Sequence, residues 1–395
     1  MASVIGFFDR LRKAFNPPPA EPSAEGTRVL KFGILGAANI APVALIAPAK
    51  NHPETVVYAV AARDKARAEA YARKHGIEKV HRTYQELLDD PNVDVIYNPL
   101  PNGLHYEWTT KALAAGKHVL LEKPSASTAE ETRKMFDLAE KKGLVLMEAF
   151  HYRFHPAIQR VKAIIDSGEL GAIKHISAVL ALPKGIIRSD DIRYKYELGG
   201  GALMDMGCYT INFIQYLSSS NPVSVLSATH ALHVPPSAPK DFKPTVDRGT
   251  TASLALPNNA TASLKADLSM PFRFGLIPPM PQVRGTVTCE GGEIELFNFV
   301  MPTLYHSLKV TPKQGKARVE KVYSFADAKM EGKGEAWWTT YRFQLEAFVD
   351  RLKGRTPQTW VDKEDSIANM ECIEQIYEKT GLGSRPKSDF VPPQY

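Results

Sequence analysis

Lys123 is the first residue whose type and place suggest chemistry. It stands in the tripeptide Glu122-Lys123-Pro124, directly after the apolar run HVLL. A lysine at the end of a buried strand can hydrogen-bond a hydroxyl group and lower the pKa of a neighbouring acid, and Glu122 can orient it. Pro124 fixes the turn and is compatible with a cis peptide bond. The alternative is a lysine that is simply solvated.

A second candidate is the segment GGGALMDMGCY, residues 199–209. Its three glycines allow a close backbone approach, and the helix predicted after them places Asp205 and Tyr209 four residues apart on one face. A tyrosine near a helix N-terminus and a lysine can accept a proton, because both lower the cost of the phenolate. Taken alone, Tyr209 fits a core or interface position. In one chain with Lys123 and a nucleotide loop, it is predicted to be catalytic.

The segment GILGAANIAP, residues 33–42, is predicted to bind phosphate groups. It follows the GxGxxG pattern of dinucleotide-binding loops, with alanine at the second and third glycine positions. Gly36 makes the tight turn, and a helix start beyond it offers backbone amides to the phosphates. The methyl group of Ala38 stands where the pyrophosphate must approach, so it either displaces the phosphates or needs a wider turn. Asn39 and Ile40 complete the predicted loop, whose alternative is a glycine-rich turn without a ligand.

Arg63 bears on which dinucleotide this loop would bind. It ends the second predicted strand, where an NAD-preferring site usually has an acidic residue for the ribose 2′-hydroxyl. A guanidinium there can pair with a 2′-phosphate and stack on the adenine ring. Lys65 and Arg67 add positive charge nearby, so NADP is favoured over NAD. The alternative is a solvated Arg63 followed by Asp64 as a helix N-cap.

His151 and His155 lie four residues apart in HYRFHP, a spacing that can hold zinc from a helix. No third ligand is near in sequence and Pro156 interrupts the helix, so no metal site is predicted. Packing beneath Lys123 or contact with a substrate is the expected role, and His151 and Arg153 are the candidates for substrate contact.

Composition excludes several classes of protein. The 395 residues are 44% hydrophobic and 23% charged, and no apolar run approaches the roughly 20 residues of a membrane span. The net charge of +6 is spread along the chain, without a basic tract for nucleic acid. The three cysteines are far apart, which favours a reducing, cytoplasmic setting. We therefore expect a chain of two domains with a small-molecule substrate.

The pattern of apolar residues places these motifs on an α/β fold. From residue 29, β-branched runs alternate with helical runs that end at Gly76, Gly116 and Gly143, as expected for a doubly wound parallel sheet. After about residue 150 sequential strands predict a mostly antiparallel sheet with few helices. The predicted strands are 29–35, 56–62, 93–97, 117–121, 144–148, 173–182, 223–233, 250–256, 260–269, 283–289, 292–297, 304–311 and 317–324. The predicted helices, besides the one that follows the GGG segment, are 64–75, 105–115, 128–142, 156–167, 337–353 and 363–380.

Three regions are predicted along the chain. Residues 1–28 form an amphipathic helix followed by a Pro-rich arm, which packs on the body or on a partner subunit; disorder and a targeting role are the alternatives. Residues 29–150 form a Rossmann dinucleotide-binding domain. Residues 151–385 form an α+β domain for substrate binding and dimerisation, whose final helices are placed to pack back on the Rossmann domain.

The chain resembles the glucose-fructose oxidoreductase/inositol dehydrogenase/MocA family over about residues 30–380. The resemblance is carried by GILGAANIA, AARD, NPLPNGLHYEWTTKALAAGKHVLLEKP, MEAFHYRFHP and GGGALMDMGCY. Within the family the chain is most similar to the branch that holds NADP-dependent D-xylose 1-dehydrogenase and dimeric dihydrodiol dehydrogenase. The EKP and GGGALxDxGxY elements are the specific ones, whereas Ala38 departs from the common pattern.

The resemblance implies roles for individual residues. Tyr209 would be the general acid/base, Lys123 the lysine of the EKP motif and Asp205 their polar companion. Asn102 and His105 would border the nicotinamide and its ribose. Pro101, Glu122 and Lys123 complete the cofactor-binding residues predicted at this end.

The resemblance also implies an activity and an assembly. The chain would be an NADP-dependent oxidoreductase acting on a CH–OH group of a sugar, with oxidation of aldose C1 to a lactone as the leading expectation. Oxidation of a cyclic trans-diol is the alternative within the enzyme class, and an NADP-binding regulator without catalysis is the alternative outside it. A homodimer or higher homo-oligomer would form through the C-terminal sheet.

Overall fold

A computed structural model describes residues 2–21, 25–239 and 241–393 of the chain. A six-stranded parallel sheet forms its first half, with strand order β3-β2-β1-β4-β5-β6. Apart from the edge strand of residues 79–81, these strands are almost fully buried, because helices cover both faces of the sheet. Its strands are β1 (Leu30–Leu35), β2 (Thr55–Ala61), β3 (Lys79–His81), β4 (Val95–Asn98), β5 (His118–Leu121) and β6 (Leu146–Glu148).

The helices between these strands begin and end at the expected capping residues. Asp64 caps the helix that follows β2 by accepting a hydrogen bond from the Arg67 amide at 3.1 Å. Gly76, Gly116 and Gly143 all have positive φ, as a helix C-terminus requires. The helices are α2 (Ala47–Lys50), α3 (Lys65–His75), α4 (Tyr84–Asp89), α5 (His105–Ala114) and α6 (Ala129–Lys141). The elements α2, α4 and β3 were not predicted, because they are too short to show a period.

An eight-stranded sheet forms the second half, with strand order β14-β13-β12-β11-β7-β10-β9-β8. All neighbours are antiparallel except β7 and β10, which confirms the expected mostly antiparallel sheet. Residues alternate between buried and partly exposed along its strands, so one face packs on helices and the other is open. Its strands are β7 (Ile173–Pro183), β8 (Ser224–Leu232), β9 (Asp247–Ala255), β10 (Thr261–Met270), β11 (Gln282–Cys289), β12 (Gly292–Phe297), β13 (Ser307–Pro312) and β14 (Arg318–Glu320).

Four helices accompany the second sheet. They are α7 (Pro156–Asp166), α8 (Cys208–Ser218), α9 (Thr340–Leu352) and α10 (Lys363–Thr380). Helix α8 packs on β7 and β10, and its Phe213 ring lies against Gly285 of β11, where a side chain would leave no room for it. Helix α10 packs on α6 and α8, and α9 packs on α2, so both final helices contact the first half of the chain. The domain boundaries at residues 28, 150 and 385 stay predictions.

The N-terminal arm packs on the body of its own chain. Helix α1 (Ala2–Phe15) places the Arg10 guanidinium 3.5 Å from the centroid of the Tyr323 ring. The Ala20 amide donates a hydrogen bond to the Lys50 carbonyl at 3.4 Å. Residues 22–24 of the predicted Pro-rich arm lie outside the described residues. None of the described helices is long and apolar enough to cross a bilayer.

Candidate active site

A cleft of about 760 Å³ opens between the carboxyl edge of the parallel sheet and the second half of the chain. This is where an open α/β sheet usually holds its ligand. Most of the predicted site residues line the cleft. They are Gly36, Ala38, Asn39, Ile40, Arg63, Pro101, Asn102, Glu122, Lys123, His151, Asp205 and Tyr209.

The predicted phosphate loop has the backbone that phosphate binding needs. Gly36 has φ +86°, and its amide donates to the Ala61 carbonyl at 2.7 Å. The Ala38 carbonyl accepts from the Tyr71 hydroxyl at 3.1 Å. The amides of residues 38–40 donate to no group among the described residues, so they are free for an anion. A π-helical turn at Pro42–Ile46 then leads into α2.

Arg63 is exposed at the rim of this loop and lines the cleft. Within the described ranges it makes no ion pair, although Asp64 follows it directly. The Asp64 carboxylate is occupied as the N-cap of α3. Arg67 donates to the Ala37 carbonyl at 3.1 Å, and no carboxylate among the described residues pairs with it. The two arginines outnumber the single carboxylate of Asp64, so this end of the cleft carries a net positive charge.

Lys123 and Asp205 form an ion pair at the opposite end of the cleft. Lys123 Nζ lies 2.9 Å from Asp205 Oδ1 and 2.8 Å from the Asp205 carbonyl. The other carboxylate oxygen, Oδ2, accepts from Arg193 Nε at 3.0 Å, and Arg193 Nη1 reaches Asp191 Oδ1 at 2.9 Å. Two positive and two negative side chains thus alternate across this wall of the cleft.

The pair keeps both of its members charged. Burial alone lowers the pKa of Lys123, but the Asp205 carboxylate outweighs it and the net pKa lies above its usual value. Burial alone raises the pKa of Asp205, yet the charges of Lys123 and Arg193 bring it down to about 2. Glu122 does not hold Lys123 as expected. Its Oε1 accepts from the Tyr97 hydroxyl at 2.7 Å, and burial raises its pKa.

Tyr209 is placed beside Lys123 but is not the acidic phenol that the sequence suggested. The ring centroid lies 4.8 Å from Lys123 Nζ, whose charge is already taken up by Asp205. Burial raises the pKa of Tyr209 well above its usual value. The hydroxyl instead lies 3.0 Å from His151 Nε2. The expectation that the lysine and the helix start favour a phenolate is therefore wrong.

His151 accepts a hydrogen bond from Tyr209. Burial lowers the pKa of His151 to about 3, so the ring is neutral. Because a phenol is the stronger acid of the two, Tyr209 donates to Nε2, and Nδ1–H donates to Thr340 Oγ1 at 2.8 Å. The Tyr341 ring packs on the other side at 4.0 Å between centroids. This chain of contacts holds the phenol proton away from the cleft.

Two predicted site residues lie outside the cleft. His105 is fully buried, and its two ring nitrogens lie 2.8 and 2.7 Å from the carbonyl oxygens of Pro124 and Leu100. It supports the turns around the cleft rather than bordering a ligand. Arg153 donates to Asp365 Oδ2 at 2.5 Å, which turns it away from a substrate. Neither residue lines the cleft, contrary to the predicted ligand contacts of His105 and Arg153.

Other residues of the cleft carried no recognisable pattern. Asp191 caps a short 3-10 turn, Ile192–Tyr194, that contains Arg193, and the contact of Arg193 with Asp205 is found only in the folded chain. Tyr341 is a buried residue whose side chain also lines the cleft. His155 caps α7 by accepting from the Ala157 amide at 3.1 Å. No group of three or more His, Cys, Asp or Glu suited to a metal occurs among residues 2–21, 25–239 and 241–393.

Comparisons with known proteins match both halves of the chain. Residues 30–150 match the model of an oxidoreductase family with an NAD-binding Rossmann fold, and residues 158–295 match the GFO/IDH/MocA C-terminal domain. The D-xylose 1-dehydrogenase (NADP(+)) 2 of Haloferax volcanii is 34% identical over 366 residues, which cover 91% of this chain and all of that protein.

Two further comparisons extend the match. The trans-1,2-dihydrobenzene-1,2-diol dehydrogenase of Xenopus tropicalis is 33% identical over 51% of this chain and 61% of its own length. The crystal structure of a 3-ketoreductase from Actinomadura kijaniata in complex with NADP and TDP-benzene has a TM-score of 0.73. It is 25% identical, and the match covers 92% of this chain and 100% of that one.

We expect Asp205→Asn to destabilise the protein in a pH-dependent way. At neutral pH the change leaves Lys123 without a charged partner in a buried site, which costs about 3 kcal/mol of unfolding free energy. The Asp205 pKa is held near 2 in the folded chain, so its stabilisation is complete above its unfolded pKa of 3.8 and is lost as pH falls through 2. The gap between variant and parent should therefore narrow below pH 4, as measured by urea unfolding.

The exposed Asp241→Asn is the control, and it should follow the parent at every pH. A gap for Asp205→Asn that stays constant between pH 7 and pH 2 would contradict the ion pair.

Proposed function

The chain belongs to the GFO/IDH/MocA oxidoreductase family, and we propose that within it the protein is an NADP-dependent dehydrogenase that oxidises the C1 hydroxyl of a neutral aldose to a lactone. The observation that carries the proposal is the division of charge in the cleft. At one end Arg63 and Arg67 outnumber Asp64 and leave a net positive charge. At the other end the Lys123, Asp205, Arg193 and Asp191 side chains pair with one another, and burial favours the neutral form of the adjacent Glu122.

The positive end fits a dinucleotide with a 2′-phosphate. The free amides of residues 38–40 match the pyrophosphate, and the exposed Arg63 guanidinium stands where the 2′-phosphate of NADP would lie. The H. volcanii relative is named for NADP, and the A. kijaniata structure contains it. The residues of this chain therefore suit NADP, which supplies a nicotinamide that accepts a hydride.

The neutral end fits an uncharged polyol. A nucleotide sugar or a sugar phosphate carries negative charges that need unpaired cations, and both cations at this end already have carboxylate partners within the described chain. Asp191 and Arg193 offer a hydrogen-bond acceptor and donor side by side, as adjacent sugar hydroxyls require. Val300, Met301 and Tyr341 add apolar surface for the C–H faces of a sugar ring.

Lys123 and Tyr209 supply the proton chemistry. Lys123 stays positively charged through Asp205, so it donates a hydrogen bond to the substrate oxygen and lowers the pKa of its hydroxyl. The Tyr209 proton points to His151 Nε2, which leaves the lone pairs of Tyr209 Oη free to accept the hydroxyl proton from the cleft. As that proton reaches Oη, the phenol proton moves to Nε2. Because burial lowers the pKa of His151 to about 3, the imidazolium is short-lived and returns the proton through Oη once the product has left. Asp205 holds Lys123 without contacting the phenol.

A homodimer through the second sheet and a cytoplasmic location belong to the same proposal. Support for the assembly comes from apolar side chains beside the sheet that are exposed in the single chain, such as Phe274 at 93% and Leu276 at 82%. Support for the location comes from three free cysteines, all of them buried.

A substrate panel tests the proposed reaction. Neutral aldoses should reduce NADP⁺, as measured by the absorbance of reduced nicotinamide. The corresponding 6-phosphates and nucleotide sugars should have kcat/KM values lower by about 100-fold or more, because their charges stay unpaired. Turnover of cyclic trans-diols in preference to aldoses would show that the substrate is a cyclic trans-diol and not a sugar. No oxidation of any aldose, polyol or dihydrodiol would overturn the enzyme and favour an NADP-responsive regulator.

Substitution of the two proton-handling residues tests the site. Lys123→Met and Tyr209→Phe should each lower kcat by about 10²- to 10⁴-fold, the usual range for a lost acid/base group. The Kd for NADP⁺, measured by fluorescence quenching, should change little in the Tyr209 variant, because the phosphate loop is untouched. Lys309→Met and Tyr305→Phe, on exposed residues outside the cleft, are the matched controls. Variants that retain kcat would show that other groups carry the proton.

Arg63→Ala tests the choice of dinucleotide. Loss of a charge-assisted contact to the 2′-phosphate should raise the Kd for NADP⁺ by about 10- to 100-fold, while the Kd for NAD⁺, which lacks that phosphate, stays nearly constant. Arg73→Ala, at an exposed position of α3, is the control and should leave both constants unchanged. An equal effect of Arg63→Ala on both dinucleotides would refute the 2′-phosphate contact.

A further inference from the structure

The segment after α10 crosses from one half of the chain to the other. Residues 381–390, here named the C-terminal strap, first run beside the loop that precedes the GGG segment, where the Tyr196 hydroxyl donates to the Ser384 carbonyl at 3.1 Å. Farther along, the Ser388 amide donates to Glu131 Oε1 of α6 at 2.6 Å. The strap thus contacts both halves of the chain.

Arg385 is the buried centre of this strap. Its side chain is fully inaccessible, and Nη2 lies 2.7 Å from Asp247 Oδ1 in an ion pair of which both members are 0% exposed. Its Nε donates to the Gly200 carbonyl at 2.5 Å. The guanidinium packs 4.0 Å from the centroid of the Tyr377 ring, whose hydroxyl donates to the same Asp247 oxygen. The guanidinium fork therefore holds a carboxylate and a backbone carbonyl at once.

Asp247 also binds the backbone beyond Gly201, on the side away from Gly200. Its second oxygen, Oδ2, accepts from the Leu203 amide at 2.8 Å. Arg385 and Asp247 therefore form hydrogen bonds with the backbone at Gly200 and Leu203, on both sides of Gly201. A Cβ at Gly201 would lie 2.3 Å from Asp247 Oδ1, and φ there is +142°, so only glycine lets the turn approach this closely.

The Gly200–Leu203 turn leads directly to Asp205. Leu203 starts the π-helical turn Leu203–Gly207, and the Asp205 amide donates to the Gly201 carbonyl at 3.0 Å. The Gly201 amide in turn donates to the carbonyl of Arg193, whose side chain holds Asp205 Oδ2. A shift of the Gly200–Leu203 backbone would therefore move both Asp205 and one of its two cationic partners relative to Lys123.

We infer that Arg385 is a positioning residue for the Lys123–Asp205 pair, acting through Asp247 and the Gly200–Leu203 backbone. A buried ion pair adds little stability over apolar side chains of similar volume, whereas a guanidinium fork imposes a fixed geometry on two acceptors. The role in turnover rests on the proposed function. The role in holding Asp205 against Lys123 does not, and it has its own readout.

Arg385→Lys is the main test, because lysine keeps the charge but does not present a planar fork to Asp247 and Gly200 together. We expect kcat to fall by about 10- to 100-fold, the effect of a small misplacement of a reacting group. The Kd for NADP⁺ should stay within about two-fold of the parent, because the phosphate loop lies on the other sheet and keeps its contacts. Lys387→Gln, in the same strap but in an exposed ion pair with Glu130, is the control and should leave both values unchanged.

Acetylation of Lys123 by acetic anhydride, quantified by mass spectrometry, is the readout that needs no substrate. The ion pair protects Nζ in the parent, and a displaced Asp205 should speed its labelling in Arg385→Lys but not in Lys387→Gln. If the parent oxidises no sugar, the proposed function fails while this comparison still decides the positioning role. If labelling and kcat both match the parent, the inference is overturned.

A double-mutant cycle separates positioning from general stability. If Arg385 acts through Asp205, Arg385→Lys should have little further effect on kcat in the Asp205→Asn background. Additive losses, together with a weaker NADP⁺ affinity, would mean a structural role only and would also overturn the inference. Should Arg385→Lys fold poorly, the Arg385→Gln/Asp247→Asn double variant removes both buried charges and is expected to show the same fall in kcat and the same faster labelling.

Discussion

The ion pair between Lys123 and Asp205 is the constraint on which the cleft depends. Its two residues are 82 positions apart and come from the two halves of the chain, one from the end of β5 and the other from the turn before α8. Because both are largely buried, neither charge is tolerated without the other. The pair therefore fixes how the wall that carries Tyr209 faces the edge of the parallel sheet.

This pairing also determines the electrostatic character of the substrate end. With Arg193 shared between Asp205 and Asp191, every charge on this wall has an opposite neighbour. Lys123 remains a permanent hydrogen-bond donor, yet it does not produce a field that would ionise Tyr209. Burial raises the pKa of Tyr209, so the phenol keeps its proton, and its hydroxyl hydrogen-bonds His151.

Support for the pair extends well beyond the cleft. Behind the turn that carries Asp205, a second and fully buried ion pair between Arg385 and Asp247 holds the backbone. On the Lys123 side, the ring of His105 lies between the carbonyl groups of Pro124 and Leu100. The residues that line the cleft are thus set in place by polar groups that lie outside it.

The sequence alone determined the α/β fold, the phosphate loop, the EKP and GGG motifs and most helix and strand boundaries, because periodicity and capping are local properties. It also placed Arg63 and Lys123 at strand ends, where the structure puts them in one cleft. Only the tertiary structure decided that His105 and Arg153 face away from the ligand, that Asp205 rather than Glu122 holds Lys123, and that Tyr209 stays protonated. These outcomes depend on burial and on partners far away in sequence, which no local pattern encodes.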